Sequence, residues 1–215
     1  KLSGHLCKRH IIPHTYDPIQ VDIHALESVF AAFMWKATGG EMARFRSLAA
    51  AMGYLLHGYK DPTTTKAIVL MDEQVSDFPA GRTGKSLIGK ALEKVTTVER
   101  LDGRNVNFEN RFTFAQMQPG TRILDFNDGL QAFPFERLFS MITDDMTIER
   151  KGVDAKRIPF SRAPKFLLST NYVIEGEGAS HEDRIFEIEF APYFSPDRRP
   201  HDPEEFGHTL SRVRV

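Results

Sequence analysis

Pro79-Ala80-Gly81-Arg82-Thr83-Gly84-Lys85-Ser86 stands between a β-branched run, Lys66 to Met71, and an apolar-periodic run, Leu87, Ile88, Ala91, Leu92 and Val95. Strand, Gly-containing loop and helix in that order are the setting in which G-x-x-x-x-G-K-[ST] binds a polyphosphate. Backbone N–H groups surround the phosphates, the next helix aims its N-terminus at them, the Lys reaches the β/γ-phosphates and the hydroxyl serves Mg²⁺. Gly84, Lys85 and Ser86 meet the pattern, whereas Pro79 stands where the first Gly belongs. The strand is expected to end near Asp72, which leaves a long approach in which Gly81 supplies flexibility. The predicted nucleotide-binding element is therefore Pro79, Ala80, Gly81, Arg82, Thr83, Gly84, Lys85, Ser86 and Leu87. A Gly-containing turn capped by Ser is the alternative reading of the same residues.

The chain has 215 residues, 41% hydrophobic and 27% charged, which suits one sizeable α/β core with a small helical appendage in a soluble globular protein. No window approaches the ~18 uninterrupted apolar residues of a membrane span, so no membrane partner is expected. Lys1-Leu2-Ser3-Gly4-His5 has neither an initiator Met nor a signal-peptide core, and the chain reads as a piece of a longer protein. The one cysteine, Cys7, has no internal disulfide partner, in keeping with a reducing, cytoplasmic compartment. A net charge of -1 directs any nucleic-acid contact to local basic clusters.

Outward from the loop, His5, Cys7, His10 and His14 are spaced so that a zinc site could be drawn, but scattered among Pro13 and Pro18 they read as a connector, residues 1–20. Leu26, Val29, Phe30, Phe33 and Met34 share one helical face, and Gly39-Gly40 ends that helix. A second helix runs through Met42, Phe45, Leu48, Ala49, Met52, Leu55 and Leu56. These form a helical N-terminal segment, residues 21–62, ahead of a core at 63–195. Within that core Leu101 to Asn110 reads as polar, and Arg111 to Gln116 alternates as a strand should. Thr121 to Asp128 reads as a strand delivering acids at its end, and Phe135, Leu138, Phe139 and Ile142 as a short helix. Thr147 to Phe160 forms a hairpin, Lys165 to Thr170 a buried strand ending at Asn171, and Phe186, Ile188 and Phe190 a half-solvated strand. Residues 196–215 form a C-terminal surface segment.

Nucleotide hydrolysis needs a phosphate cradle, Mg²⁺, an acid, a polar γ-phosphate sensor and positive charge for the transition state. In α/β sheets these gather at the carboxyl ends of neighbouring strands. Asp128 and Asn171 follow Lys85 at equal intervals, each closing an apolar strand, with room for a crossover between them. Alone, Asp128 is equally a helix cap or turn residue, Asn171 a strand-end turn and Arg184 a surface ion-pair partner.

With these elements in order, the chain from about Tyr54 to Phe194 resembles the superfamily 3 helicases of the AAA+ class, in particular the ATPase part of phage and plasmid primase–helicase proteins. Gly81 to Ser86 matches Walker A, and Ile123-Leu124-Asp125-Phe126-Asn127-Asp128 looks like the Walker B strand. Phe139 to Lys151 is similar to the intermediate motif, and Pro164 to Asn171 to the motif that ends in the sensor Asn. The resemblance implies a P-loop NTPase of AAA+ type, a mainly parallel central sheet flanked by helices, with ATP and Mg²⁺ as cofactors. It assigns Lys85 to the β/γ-phosphates, Ser86 to Mg²⁺, Asp128 to the metal side and the lytic water, and Asn171 to orienting that water. Arg184, after Ser180-His181-Glu182-Asp183, would be the arginine finger donated to a neighbouring subunit. The first Walker B acid is replaced by Asn127, which supplies no negative charge. Asp125, two residues earlier on the same side of the strand, is a candidate substitute.

The resemblance also implies a hairpin that grips single-stranded DNA in a ring, a hexamer in the full-length protein, and places Arg150, Lys151, Lys156 and Arg157 there. A primase domain upstream is a further expectation. The function read from these signs is an ATP-driven DNA helicase or translocase in phage- or plasmid-type replication. Two alternatives are a replication-initiator assembly module that binds ATP but hydrolyses it weakly because of Asn127, and a small-molecule P-loop kinase, which would need an acceptor pocket and an Arg-rich lid.

Overall fold

The computed structural model describes residues 28–74, 81–195, 197–200 and 202–206. The possible zinc ligands near the N-terminus, and Pro79 and Ala80 of the loop, lie outside these. Five strands form one parallel sheet in the order β2-β3-β6-β1-β7: β1 (Ala67–Asp72), β2 (Val98–Asp102), β3 (Ile123–Gly129), β6 (Lys165–Thr170) and β7 (Ile185–Phe190). Parallel strands covered on both faces read as continuous apolar runs, and every residue of β1 and β6 is buried.

The period-two alternation divides the core. Ile68, Leu70, Ile123, Leu167 and Ile188 face helices α1 (Val29–Ala37), α2 (Met42–Leu56) and α3 (Lys85–Val95). Val69, Leu124, Phe126, Phe166 and Leu168 face a second layer containing Phe133, Phe135, Leu138 and Ile142, the last in α4 (Phe139–Thr143). Ser28 caps α1 by accepting from the Ala31 N–H, and Gly39 and Gly40, both at φ 71°, end it. Because α1 and α2 bury Phe33, Phe45 and Leu48 in the same cluster as β1, the N-terminal helices are part of the α/β core.

Three local expectations differ from the fold. Arg111 to Gln116 forms successive turns, with Phe108 and Phe114 packed against the second layer, so the alternation there marks which turn residues face inward. Val98–Asp102, an unforeseen strand, sits at the sheet edge and is only half-buried, which accounts for its charged residues. Beyond residue 195 the chain does more than cover the surface: Phe206 packs half-buried on the first cluster, 6.4 Å between centroids from Phe194, which is itself 1% exposed and stacks on Phe33 at 5.5 Å. The hairpin forms as β4 (Met146–Arg150) and β5 (Val153–Ile158), an antiparallel pair separate from the main sheet. Among the described residues no helix is long and apolar enough to cross a membrane.

Candidate functional site

Three left-handed residues shape the phosphate loop. Gly81 and Arg82 take φ of 60° and 64°, and Gly84, at φ 100°, stands immediately before α3. No side chain caps α3, so the loop itself meets the helix N-terminus, where orphan N–H groups and the helix dipole favour an anion. A Cβ on Gly84 would stand 2.8 Å from Cε2 of Phe33, which ties the loop to α1.

Lys85 is 7% exposed, and its ammonium donates to Asp72 Oδ1 and, at 3.0 Å, to Thr83 Oγ1. Thr83 Oγ1 in turn donates to Asp72 Oδ1 at 2.7 Å. Burial pulls the Lys85 pKa down, against the pull of Asp72 and Asp128. Asp72, the last residue of β1, is a member of this site that the motif alone does not name. Its signal in sequence is an acid ending the apolar strand before the loop.

The end of β3 lies alongside. Asn127 Oδ1 accepts from Ser169 Oγ at 3.2 Å, and the Asp128 N–H donates to the same hydroxyl at 3.3 Å. The register with β6 shifts between Phe126 and Gly129, and Asp128 takes φ 58°, a left-handed conformation that costs a non-glycine residue about 1–2 kcal/mol. This kink leaves the Asp128 carboxylate half-exposed, 3.8 Å from Arg104. Asn171 follows β6, and its amide nitrogen lies 3.6 Å from where a Cβ on Gly81 would be. Ser86 is exposed and Leu87 half-buried in the first turn of α3. Loop, β3 end and β6 end thus meet at the carboxyl edge of the sheet. On the α3 side of the loop, Arg82, Gly84, Ser86, Leu87 and Lys90 face Arg199 and Pro200 across a cleft of about 330 Å³ that neither strand end lines.

Asp125 does not substitute for the missing acid. It is 2% exposed, its Oδ2 accepts from Arg100 Nε at 2.9 Å, and it lies under Gly89 of α3, where a Cβ would come within 2.2 Å of Oδ2. Burial raises its pKa despite Arg100. Among the described residues no group of three or more His, Cys, Asp or Glu could hold a metal. The donors here, the Ser86 hydroxyl and one carboxylate, suit Mg²⁺, which takes one or two protein ligands and completes its shell with phosphate oxygens and water.

Arg184 lies elsewhere. It precedes β7, and its carbonyl accepts from Ala67 N–H at the start of β1, so it sits at the amino edge of the sheet. The guanidinium donates from Nη1 to Ser180 O at 2.9 Å and rests 5.2 Å from the Phe139 ring, with Nε buried and unpartnered. Nor are the hairpin cations gathered at the tip. Lys151 and Gly152 form the turn, while Lys156 and Arg157 lie in β5 towards the base. Arg150 leaves the group of free cations, because its guanidinium donates to the carbonyls of Ala115 at 2.8 Å and Met117 at 2.6 Å. Arg157 pairs with Asp145 at 2.6 Å.

A family described only as of unknown function (DUF5906) has a model that matches residues 78–184, from the phosphate loop to Arg184. No curated protein matches the chain. Among solved structures, the A form apo structure of the NrS-1 C-terminal region is 18% identical with a TM-score of 0.55, over 87% of this chain and 45% of that one. A second A form apo structure of that region, CTR(305-718), is again 18% identical, with a TM-score of 0.49 over the same 87% and 45%. JCV helicase bound to a thiazolopyridine compound is 15% identical with a TM-score of 0.42, over 77% and 47%. The chain thus spans less than half the length of each. With the parallel sheet and its flanking helices, the first of these likenesses shows the fold, that of an α/β P-loop NTPase.

Proposed function

We propose that this chain is the ATP-binding motor domain of a DNA helicase or translocase of phage- or plasmid-type replication. The observation that carries the reading is the convergence of Lys85, Asp128 and Asn171, from three separate chain segments, around one left-handed loop at the carboxyl edge of the sheet. The resemblance of the four motifs, in order, to superfamily 3 helicases supplies the helicase part.

ATP with Mg²⁺ supplies the phosphoryl group whose release drives movement. Around it the N–H groups of the loop and of the first turn of α3 hold the phosphates. Lys85 leaves Asp72 to neutralise their charge, Ser86 and Asp128 hold the metal side, and Asn171 and Asp128 orient the attacking water. Arg184, at the far edge of its own sheet, serves only a neighbouring subunit's nucleotide, which favours a ring. Lys151 at the hairpin tip contacts single-stranded DNA by charge.

Asn127 favours a second reading, an initiator module that binds ATP and hydrolyses it slowly. Its amide already serves as the acceptor for Ser169, a role an aspartate can fill equally. ATP hydrolysis with and without single-stranded DNA separates the two. A helicase motor shows DNA-stimulated turnover, abolished by Lys85→Met and raised by Asn127→Asp. ATP binding with no stimulated turnover in the assembled full-length protein overturns the motor in favour of the module.

A further inference from the structure

The amino ends of β2, β3 and β6 border a second and larger cleft, about 590 Å³, on the side of the sheet away from the phosphate loop. The strands between the two are six or seven residues long, so at ~3.3 Å per residue roughly 20 Å separates them. Its walls come from the chain after α2, the turn before β3, the descending strand of the hairpin and the start of β6. Lys60, Arg122, Lys156, Arg157, Arg162 and Lys165 line it, and no Asp or Glu does. Of these six, only Arg157 has a carboxylate partner among the described residues.

The cluster is built in. Lys165 is 2% exposed, 3.9 Å from the Tyr54 ring, and donates to the carbonyls of Tyr54 and His57. Lys60 donates to Pro164 O at 3.2 Å and faces the Phe160 ring at 4.3 Å. Burial pushes both ammonium groups down to about 8, and Lys60 and Arg122 add to the effect on Lys165. Arg122 lies flat against Gly58, where a Cβ would stand 2.1 Å from Nη1, so the backbone there has room for the guanidinium and for nothing else. Gathering like charges at a half-buried place, in a chain with net charge -1, is costly unless an anion joins them. The volume, on the order of twenty waters, exceeds what one inorganic ion fills.

We propose that this cleft is a second anion site, taking a linear run of phosphate groups between Arg122, Arg162 and Lys60, either the backbone of a nucleic-acid strand or a free polyphosphate. Two forked guanidinium groups suit successive phosphates better than point charges do. The site is independent of the nucleotide reading. Either can fail without the other.

The test is lysine acetylation at pH 8, read by peptide mass spectrometry, on the 215-residue protein carrying Asp72→Asn with Lys85→Met, which removes the phosphate-loop lysine. The probes are inorganic tripolyphosphate and an oligothymidylate of about ten nucleotides. Lys60 and Lys156 become protected about tenfold relative to Lys94 on α3, an effect lost in Arg122→Ala with Arg162→Ala and weakened in Gly58→Ala, which displaces Arg122 but keeps every cation. Protection by the oligonucleotide alone identifies a strand site, and protection by tripolyphosphate alone a polyphosphate site. Protection of Lys94 to the same degree, persistence in the double arginine variant, or no protection by either probe at millimolar concentration overturns the proposal.

Discussion

Lys85, the first residue of α3, donates its ammonium to the carboxylate of Asp72, the last residue of β1, and the Thr83 hydroxyl bonds to both. Both charged side chains are under a tenth exposed. Lys85→Met therefore strands a buried carboxylate and should lower stability by about 3–5 kcal/mol. Adding Asp72→Asn, which keeps an acceptor for Thr83, should restore most of that, because removing both partners is nearly neutral. Thermal melts and titration with a fluorescent ATP analogue check this: stability returns in the double variant and nucleotide binding does not.

Phe33 on α1 touches the turn at Gly84 and stacks on Phe194. It is fully buried, so Phe33→Ala should cost about 3–5 kcal/mol and also slacken the loop. The expected result is a lower Tm together with weaker nucleotide binding. Unchanged affinity below the melting range would show that α1 does not shape the loop.

Gly89 leaves room for the Arg100–Asp125 pair beneath α3. A methyl there would come within 2.5 Å of Arg100 Nη2 as well as against Asp125. Gly89→Ala should destabilise by about 1–3 kcal/mol from overpacking, although alanine is the better helix former. The measurement is a denaturant midpoint. A gain in stability would mean that the pair moves aside freely.

The Lys60 ammonium is held down to about 8 from 10.5. Because the folded value lies below the unfolded one, its favourable contribution is present above pH 10.5 and is lost as pH falls through about 8. Wild type should therefore gain Tm relative to Lys60→Met as pH rises from 8 to 10.5, and hold a constant difference below. A flat difference across that window would contradict the burial of this ammonium.

Local pattern alone reveals much of the frame. β1, β3 and β6 are apolar runs because both faces of a parallel sheet are covered, and α1 and α2 show a helical period because one stripe of each faces the sheet. The phosphate loop is legible as a string of residue types whose φ values follow from Gly81 and Gly84. Val98–Asp102 was not legible, since a half-buried edge strand carries no strong pattern, and Phe112 and Phe114 alternate within turns as they would in a strand.

What the sequence determined by itself is periodicity and motif order, properties of neighbours along the chain: a strand–loop–helix phosphate cradle, then an acid-bearing strand, then a strand ending in Asn171. Tertiary structure alone decided which charges meet. It joined Lys85 to Asp72, withdrew Asp125 into a pair with Arg100, fixed Arg150 on two carbonyls, set Arg184 at the opposite edge, and drew six cations from distant segments around one cleft. Coulomb energy and desolvation depend on distance and burial in space, and these follow from the order in which the strands pack rather than from the order in which they are written.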